Sequence, residues 1–263
     1  MKMNTVTPAL FAALLALAGC ATQPAESDIR PAASTTGAET DQQTRARIHT
    51  ELASGYYGLG NMGVALEEVN EALRADPNYV PAHNVAGLIY ADLKEDRLAQ
   101  QSYERALSID PLDSDTNNNY GLFLCERKRE EEAIKYFLAA LRNPLYRYPD
   151  RSYVNAGLCS RRRGDIASAE NYFQRALKVR PNQPQALYQL ADIEFARGNL
   201  AEAKDYLGRY NKIAAANAEV LWLGVRVARK LGDRNSEASY ALQLRKNYPD
   251  SKESRALSAG RYE

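Results

Sequence analysis

Few residues in this chain combine the types and spacing that catalysis or cofactor binding requires. The run from Gly58 to Gly63 (GLGNMG) matches the G-x-G-x-x-G pattern, which binds dinucleotide phosphates only after a strand and at the start of a helix. Here it lies between two predicted helices, so we interpret it as a turn. The two histidines, His49 and His83, lack nearby Cys or carboxylate partners for a metal. We therefore expect no cofactor, no metal and no enzymatic activity.

The first cysteine ends a sequence with the features of an export signal. Lys2 precedes an apolar stretch of roughly ten residues, which is too short to cross about 30 Å of hydrocarbon. The stretch ends at Leu17-Ala18-Gly19-Cys20, which resembles the bacterial lipobox. That resemblance implies that Cys20 carries a diacylglycerol and that the chain is cut before it. An ordinary signal peptide with an incidental cysteine is the alternative.

The residues after Cys20 indicate where the protein resides. Ala21 stands where an Asp would resemble an inner-membrane retention signal, so we expect a lipid-anchored protein at the outer membrane that faces the periplasm. The next residues are rich in Ala, Thr, Pro, Ser, Gln and Glu, a composition typical of a flexible tether. The whole chain has 34 basic and 33 acidic residues, and this balance argues against a polybasic nucleic-acid binder.

An internal period of 34 residues dominates the rest of the chain. Gly87 is followed by Tyr103 at the same spacing as Gly121 by Phe137, and Gly157 begins a similar unit 36 residues later. Two weaker copies continue at 34 residues. The spacing resembles the tetratricopeptide repeat (TPR), in which each unit is an antiparallel pair of helices, A and B. One unit cannot bury its apolar face alone, so neighbouring units must stack.

The repeats define the expected architecture. They predict an all-α fold, a right-handed superhelical solenoid of about six TPR repeats. We expect a signal peptide at 1–19, a lipidated Cys and flexible tether at 20–45, the solenoid at 46–251 and a C-terminal tail at 252–263. The expected repeats lie near 46–79, 80–113, 114–149, 150–183, 184–217 and 218–251.

Helix A positions two, five, nine and twelve line the concave groove of a TPR array. In this register Asn84 and Asn118 share one position in consecutive repeats, suited to hydrogen bonds with a peptide backbone. Leu88, Leu122 and Leu158 occupy the next position and form an apolar stripe. The alternative is that this stripe packs against a neighbouring repeat. The candidate protein-binding groove comprises Tyr57, Asn84, Leu88, Asn118, Leu122, Val154 and Leu158.

The other two cysteines form a candidate disulfide. Cys125 and Cys159 lie 34 residues apart, on helix A of adjacent predicted repeats. Their positions favour a Cβ separation near the required value of about 4 Å, and an exported protein meets an oxidising compartment. Two buried, reduced thiols are the alternative.

Four short blocks are more particular than the general TPR pattern: residues 118–125 (NNYGLFLC), 132–133 (EA), 143–146 (NPLY) and 155–159 (NAGLC). With the lipobox and six repeats, they resemble the type IV pilus biogenesis/stability lipoproteins (PilF/PilW family). The resemblance implies a secretin pilotin, which binds the PilQ-like secretin subunit of the type IV pilus and promotes its outer-membrane localisation and multimerisation. Pilus biogenesis and twitching motility require that step. The alternative to a pilotin is a scaffold lipoprotein for β-barrel assembly or peptidoglycan synthesis. We expect the protein to be a monomer.

Overall fold

A computed structural model of the chain describes residues 40–262, which form thirteen α-helices and no strand. The first twelve helices form six consecutive pairs. The first helix of each pair, helix A, is α1 (Asp41–Gly58), α3 (Val80–Asp92), α5 (Ser114–Glu126), α7 (Pro149–Arg162), α9 (Pro184–Arg197) or α11 (Ala218–Leu231). The second, helix B, is α2 (Met62–Ala75), α4 (Asp96–Ile109), α6 (Glu130–Ala140), α8 (Ile166–Val179), α10 (Leu200–Asn211) or α12 (Arg234–Asn247).

The pairs stack in chain order. From the second pair onward, each helix A packs against helix B of the preceding pair, and most also pack against the preceding helix A. Helices A therefore share one side of the stack. This arrangement confirms the predicted TPR solenoid. Among residues 40–262, no helix is both long and apolar enough to span a bilayer.

A glycine on helix A and an aromatic ring on helix B fix the spacing within four of the pairs. A Cβ added to Gly157 would lie 2.5 Å from the ring of Phe173, and one added to Gly87 would lie 2.5 Å from Tyr103. Both rings are almost fully buried. The glycines therefore allow the close approach of helix A to its own helix B that the repeat pattern predicts.

The turn between helices A and B contains a residue with positive φ in all six pairs. Gly60 has a φ of 78° in the first pair, and glycines occupy the equivalent turn in the fourth, fifth and sixth pairs. Lys94 and Lys128 adopt φ of 64° and 62° in the second and third pairs, which costs a non-glycine residue free energy. The GLGNMG run thus surrounds a turn and does not follow a strand.

The predicted C-terminal tail contains a helix. Residues Lys252–Ser258 form α13, which Ser251 caps by accepting a hydrogen bond from the backbone N–H of Ser254. The helix packs on α11 and α12, and Leu257 is buried in a cluster with Leu221 and Leu244. It therefore covers apolar surface that the sixth pair would otherwise expose.

Candidate protein-binding surface

The predicted leucine stripe is only partly accessible. Leu122 is 36% exposed on α5, whereas Leu88 on α3 and Leu158 on α7 are half-buried. Leu158 also packs against a core cluster that includes Phe173 and Leu190. The stripe thus offers an accessible apolar side chain at Leu122, while the fourth repeat uses its equivalent leucine for packing.

The two predicted asparagines are buried and bonded to neighbouring repeats. Asn118 is 8% exposed, and its Oδ1 accepts hydrogen bonds from Ser152 Oγ at 3.0 Å and from Asn155 Nδ2 at 2.9 Å. Asn84 Oδ1 accepts from Asn119 Nδ2 at 3.1 Å. Both Oδ1 acceptors are therefore engaged within the protein, and hydrogen bonding of these amides to a peptide backbone stays a prediction. These amides join α3 to α5 and α5 to α7.

Val154 and Tyr57 also make contacts that the repeat register alone does not specify. Val154 is 6% exposed and belongs to a core cluster with Phe173 and Leu190, so its assignment to an accessible groove was wrong. Tyr57 is half-buried and donates its hydroxyl hydrogen to Asp92 Oδ2 at 2.7 Å. Burial, reinforced by that carboxylate, raises the pKa of Tyr57 to about 12.

Cys125 on α5 and Cys159 on α7 form a disulfide with a Cα–Cα distance of 5.9 Å. Both residues are buried in the cluster that contains Tyr120 and Phe137. The bond links helix A of the third repeat to helix A of the fourth, the same two helices that the Asn118 hydrogen bonds join. Cys20, the predicted lipidation site, lies outside the described residues.

Both histidines have structural partners. His49 Nδ1 lies 2.7 Å from Glu68 Oε2, and His83 Nε2 lies 3.0 Å from the Pro77 carbonyl oxygen. Burial lowers the pKa of His83. Within residues 40–262, no cluster of three or more His, Cys, Asp or Glu side chains is arranged to hold a metal ion.

A cleft in the described part of the chain lies on the fifth and sixth repeats, where no groove residue was predicted. It has a volume of about 790 Å³ and is lined by residues of α9, α11 and α13 and by residues 260–262. Tyr188 and Trp222 are 34 residues apart and continue the helix A position of Asn118 and Val154. The shared helix A position could have identified these two residues from the sequence. It was missed because the repeat consensus is weaker in the fifth and sixth repeats.

Tetratricopeptide repeat models match residues 50–114, 102–135 and 161–223 of the chain. Together these matches cover parts of all six helix pairs. They agree with the helix order and with the contacts between successive pairs.

Two similar proteins cover most of the chain. The type IV pilus assembly protein PilF of Pseudomonas aeruginosa is 33% identical over 256 residues, which are 97% of this chain and 99% of PilF. A solved structure of P. aeruginosa PilF superposes with a TM-score of 0.78 at 32% identity, covering 84% of this chain and 100% of that chain. The structure of PilW, described as a widely conserved type IV pilus biogenesis factor, gives a TM-score of 0.71 at 36% identity. It covers 81% of this chain and 97% of that chain.

Proposed function

This chain belongs to the family of PilF, the type IV pilus assembly protein, and we propose that it is an outer-membrane lipoprotein pilotin. In this role it binds the PilQ-like secretin subunit and promotes its localisation and multimerisation in the outer membrane. The observation that carries the proposal is the match to PilF over 97% of this chain and 99% of the relative. A match confined to a few repeats would support the TPR fold alone.

The lipid anchor is the part of the proposal that rests on the sequence. Cys20 follows Leu17, Ala18 and Gly19 in a pattern that resembles the lipobox. Each buried methylene of an acyl chain contributes about 0.8 kcal/mol, and stable anchoring requires two or more chains. A diacylglycerol on Cys20 therefore supports durable attachment to the membrane.

The physical mechanism of such a pilotin is tethered binding. An anchored chain that holds a secretin subunit confines that subunit near the membrane, which raises the effective concentration of subunits for assembly. The stretch from Ala21 to Glu39, which precedes the described residues, is rich in residues typical of flexible tethers; α1 already begins at Asp41, inside the predicted tether of 20–45. Such a tether allows the folded part to reach its partner. No covalent bond is made or broken, so we propose that the protein is not an enzyme.

The concave side of the solenoid is the proposed secretin-binding surface. Leu122 provides an exposed apolar contact in its middle, and the cleft at the fifth and sixth repeats provides aromatic and charged contacts. Apolar side chains beside satisfied polar groups favour contact with another polypeptide.

Replacing the lipidated cysteine tests the anchor directly. The substitution Cys20→Ser removes the thiol that receives the diacylglycerol but changes no residue of the solenoid. We expect a folded, lipid-free protein, fewer secretin multimers in outer-membrane fractions and loss of twitching motility. Membrane fractionation, immunoblotting of heat-resistant multimers and a motility assay measure these effects.

Two outcomes contradict the proposal. Unchanged secretin multimers at the outer membrane in the Cys20→Ser strain would show that the anchor has no role in secretin localisation. Normal pili in a strain that lacks the chain, together with depleted outer-membrane barrels or altered peptidoglycan, would instead support the scaffold alternative.

A further inference from the structure

The cleft on the fifth and sixth repeats combines aromatic faces with fixed charges. Its lining includes Tyr188 on α9, Trp222 and Arg226 on α11, Lys252 on α13, and Tyr262. Trp222 is 9% exposed, and its ring stacks on that of Tyr262 with centroids 5.7 Å apart. The aromatic wall is therefore held in place by contacts within the protein and does not depend on a ligand to order it.

The helix A register changes its chemistry at this cleft. Tyr188 and Trp222 occupy the position that Asn118 holds in the third repeat, and Asp192 and Arg226 occupy the position of Leu122. Amide and aliphatic side chains are thus replaced by large aromatic rings and by ionised groups. The fifth and sixth repeats consequently offer contacts for a ligand that carries both charge and apolar surface.

Arg226 is positioned to receive a carboxylate. Its guanidinium carbon lies 4.7 Å from the centroid of Phe195 and 5.9 Å from that of Trp222, so two aromatic rings flank the cation. The closest carboxylate oxygen is Asp192 Oδ1 at 3.9 Å, beyond hydrogen-bond distance. The other oxygen of Asp192 accepts from Arg161 Nη2 at 2.8 Å. Two guanidinium groups therefore share one carboxylate, and this side of the cleft has an excess positive charge.

The opposite side of the cleft has the reverse balance. Lys252 Nζ lies 4.0 Å from Glu219 Oε1 and 3.6 Å from Glu253 Oε1, so two carboxylates share one ammonium group. The excess positive charge is consequently carried by Arg226 on the wall of the cleft and by the exposed Arg261 near its edge. A ligand carboxylate at Arg226 gains attraction there, and one placed near Glu219 meets repulsion.

The geometry points to a binding site for an extended segment of a partner polypeptide that carries an Asp or Glu next to a large apolar side chain. The carboxylate accepts hydrogen bonds from the guanidinium group of Arg226, whose side chain is 19% exposed, and the apolar side chain packs against Tyr188, beside the exposed edge of Trp222. An ionised carboxylate bonded to a guanidinium group is a strong, directional contact. The identification of the secretin as the source of this segment rests on the proposed function. The type of segment that the cleft binds follows from its own residues and does not depend on that function.

The single tryptophan of the chain makes occupancy of the cleft measurable. Trp222 lines the cleft and is the only Trp in the sequence, so its fluorescence reports on this place alone. The probes are overlapping synthetic peptides that span the periplasmic region of the secretin of the same organism, titrated into the full chain in detergent. Peptides that shift Trp222 emission should contain an Asp or Glu beside Leu, Ile, Phe or Tyr. Replacing that acid by its amide should weaken binding about tenfold or more.

Variants of Arg226 test whether the carboxylate binds where we place it. Arg226→Gln should weaken peptide binding about tenfold, and Arg226→Lys should retain part of the affinity because the positive charge remains. Arg234→Gln is the matched control, since Arg234 is exposed at the start of α12, outside the cleft lining. It should leave the affinity unchanged. Thermal melting of each variant separates loss of binding from loss of folding.

The outcomes distinguish the cleft from the pilotin role. If intact secretin binds the Arg226→Gln chain as well as the original chain, the cleft proposal is overturned and the proposed function stands. If intact secretin does not bind but acidic peptides shift Trp222 emission through Arg226, the cleft stands and the secretin role is overturned. If no peptide shifts the emission, or if the amide variants bind equally well, the cleft proposal is wrong.

Discussion

In the third and fourth repeats, side chains of helix A bind each other. Asn118 accepts hydrogen bonds from Ser152 and Asn155, and Cys125 is bonded to Cys159. In the fifth and sixth repeats, the equivalent helix A surface instead borders a cleft of about 790 Å³. The repeat register therefore determines the position of a residue on helix A. The type of residue at that position determines whether its side chain bonds the next repeat or lines a cleft.

Removing the disulfide tests the cross-linked region and has the largest expected effect. The bond closes a loop between residues 34 apart, and a disulfide of this span stabilises a fold by about 3–4 kcal/mol. Cys125→Ala combined with Cys159→Ala should lower the free energy of unfolding by about that amount, measured by urea denaturation. Hydrogen exchange should accelerate mainly in α5 to α7, and peptide binding at the Trp222 cleft should remain.

Two observations would contradict the proposed role of the disulfide in the third and fourth repeats. The first is a count of two reactive thiols in the denatured, unreduced protein, in addition to any contributed by Cys20. The second is faster hydrogen exchange spread evenly from α1 to α13 in the double variant, which would show that the bond does not stabilise the third and fourth repeats in particular.

Two glycine substitutions, one in the fourth repeat and one in the fifth, should change the free energy of unfolding in opposite directions. In Gly157→Ala the new Cβ would lie 2.5 Å from the Phe173 ring, and accommodating it in a packed core should cost about 1–3 kcal/mol. Gly208→Ala, in helix B of the fifth repeat, is the matched control. No atom lies within 4 Å of its new Cβ, so replacing a helical glycine should stabilise by about 0.5–1 kcal/mol.

The two midpoints of urea unfolding should therefore move in opposite directions. Equal destabilisation by Gly157→Ala and Gly208→Ala would show that loss of glycine itself, and not contact with the aromatic ring, sets the cost. No change in Gly157→Ala would show that the Phe173 ring moves without penalty.

The sequence was sufficient to predict the fold because the repeat pattern reports a local physical requirement. Gly157 and Phe173 must be small and large, respectively, for helix A to approach helix B, and that requirement recurs with the period. The C-terminal helix was missed because its seven residues are mostly polar and do not continue the consensus. Only its packing on α11 and α12 shows that it covers the last pair.

The binding surface was less predictable from the sequence because a register position does not fix burial. Val154 and Leu122 are both apolar residues at predicted groove positions, yet Val154 is 6% exposed and Leu122 is 36% exposed. The difference depends on which residues of the next repeat pack over each one. Arg161, at the end of α7, donates a hydrogen bond to Asp192 in the next repeat. Contacts of this kind depend on the stacking of two repeats.

Calorimetric titration of the full chain in detergent with the periplasmic region of the secretin tests the central claim most directly. We expect saturable binding with a negative heat-capacity change, because apolar surface is buried in the complex. Leu122→Asp should weaken it, while Leu138→Asp, a similarly exposed leucine on helix B, should not. Absence of binding, or equal loss in both variants, would contradict a protein that holds the secretin on its concave side.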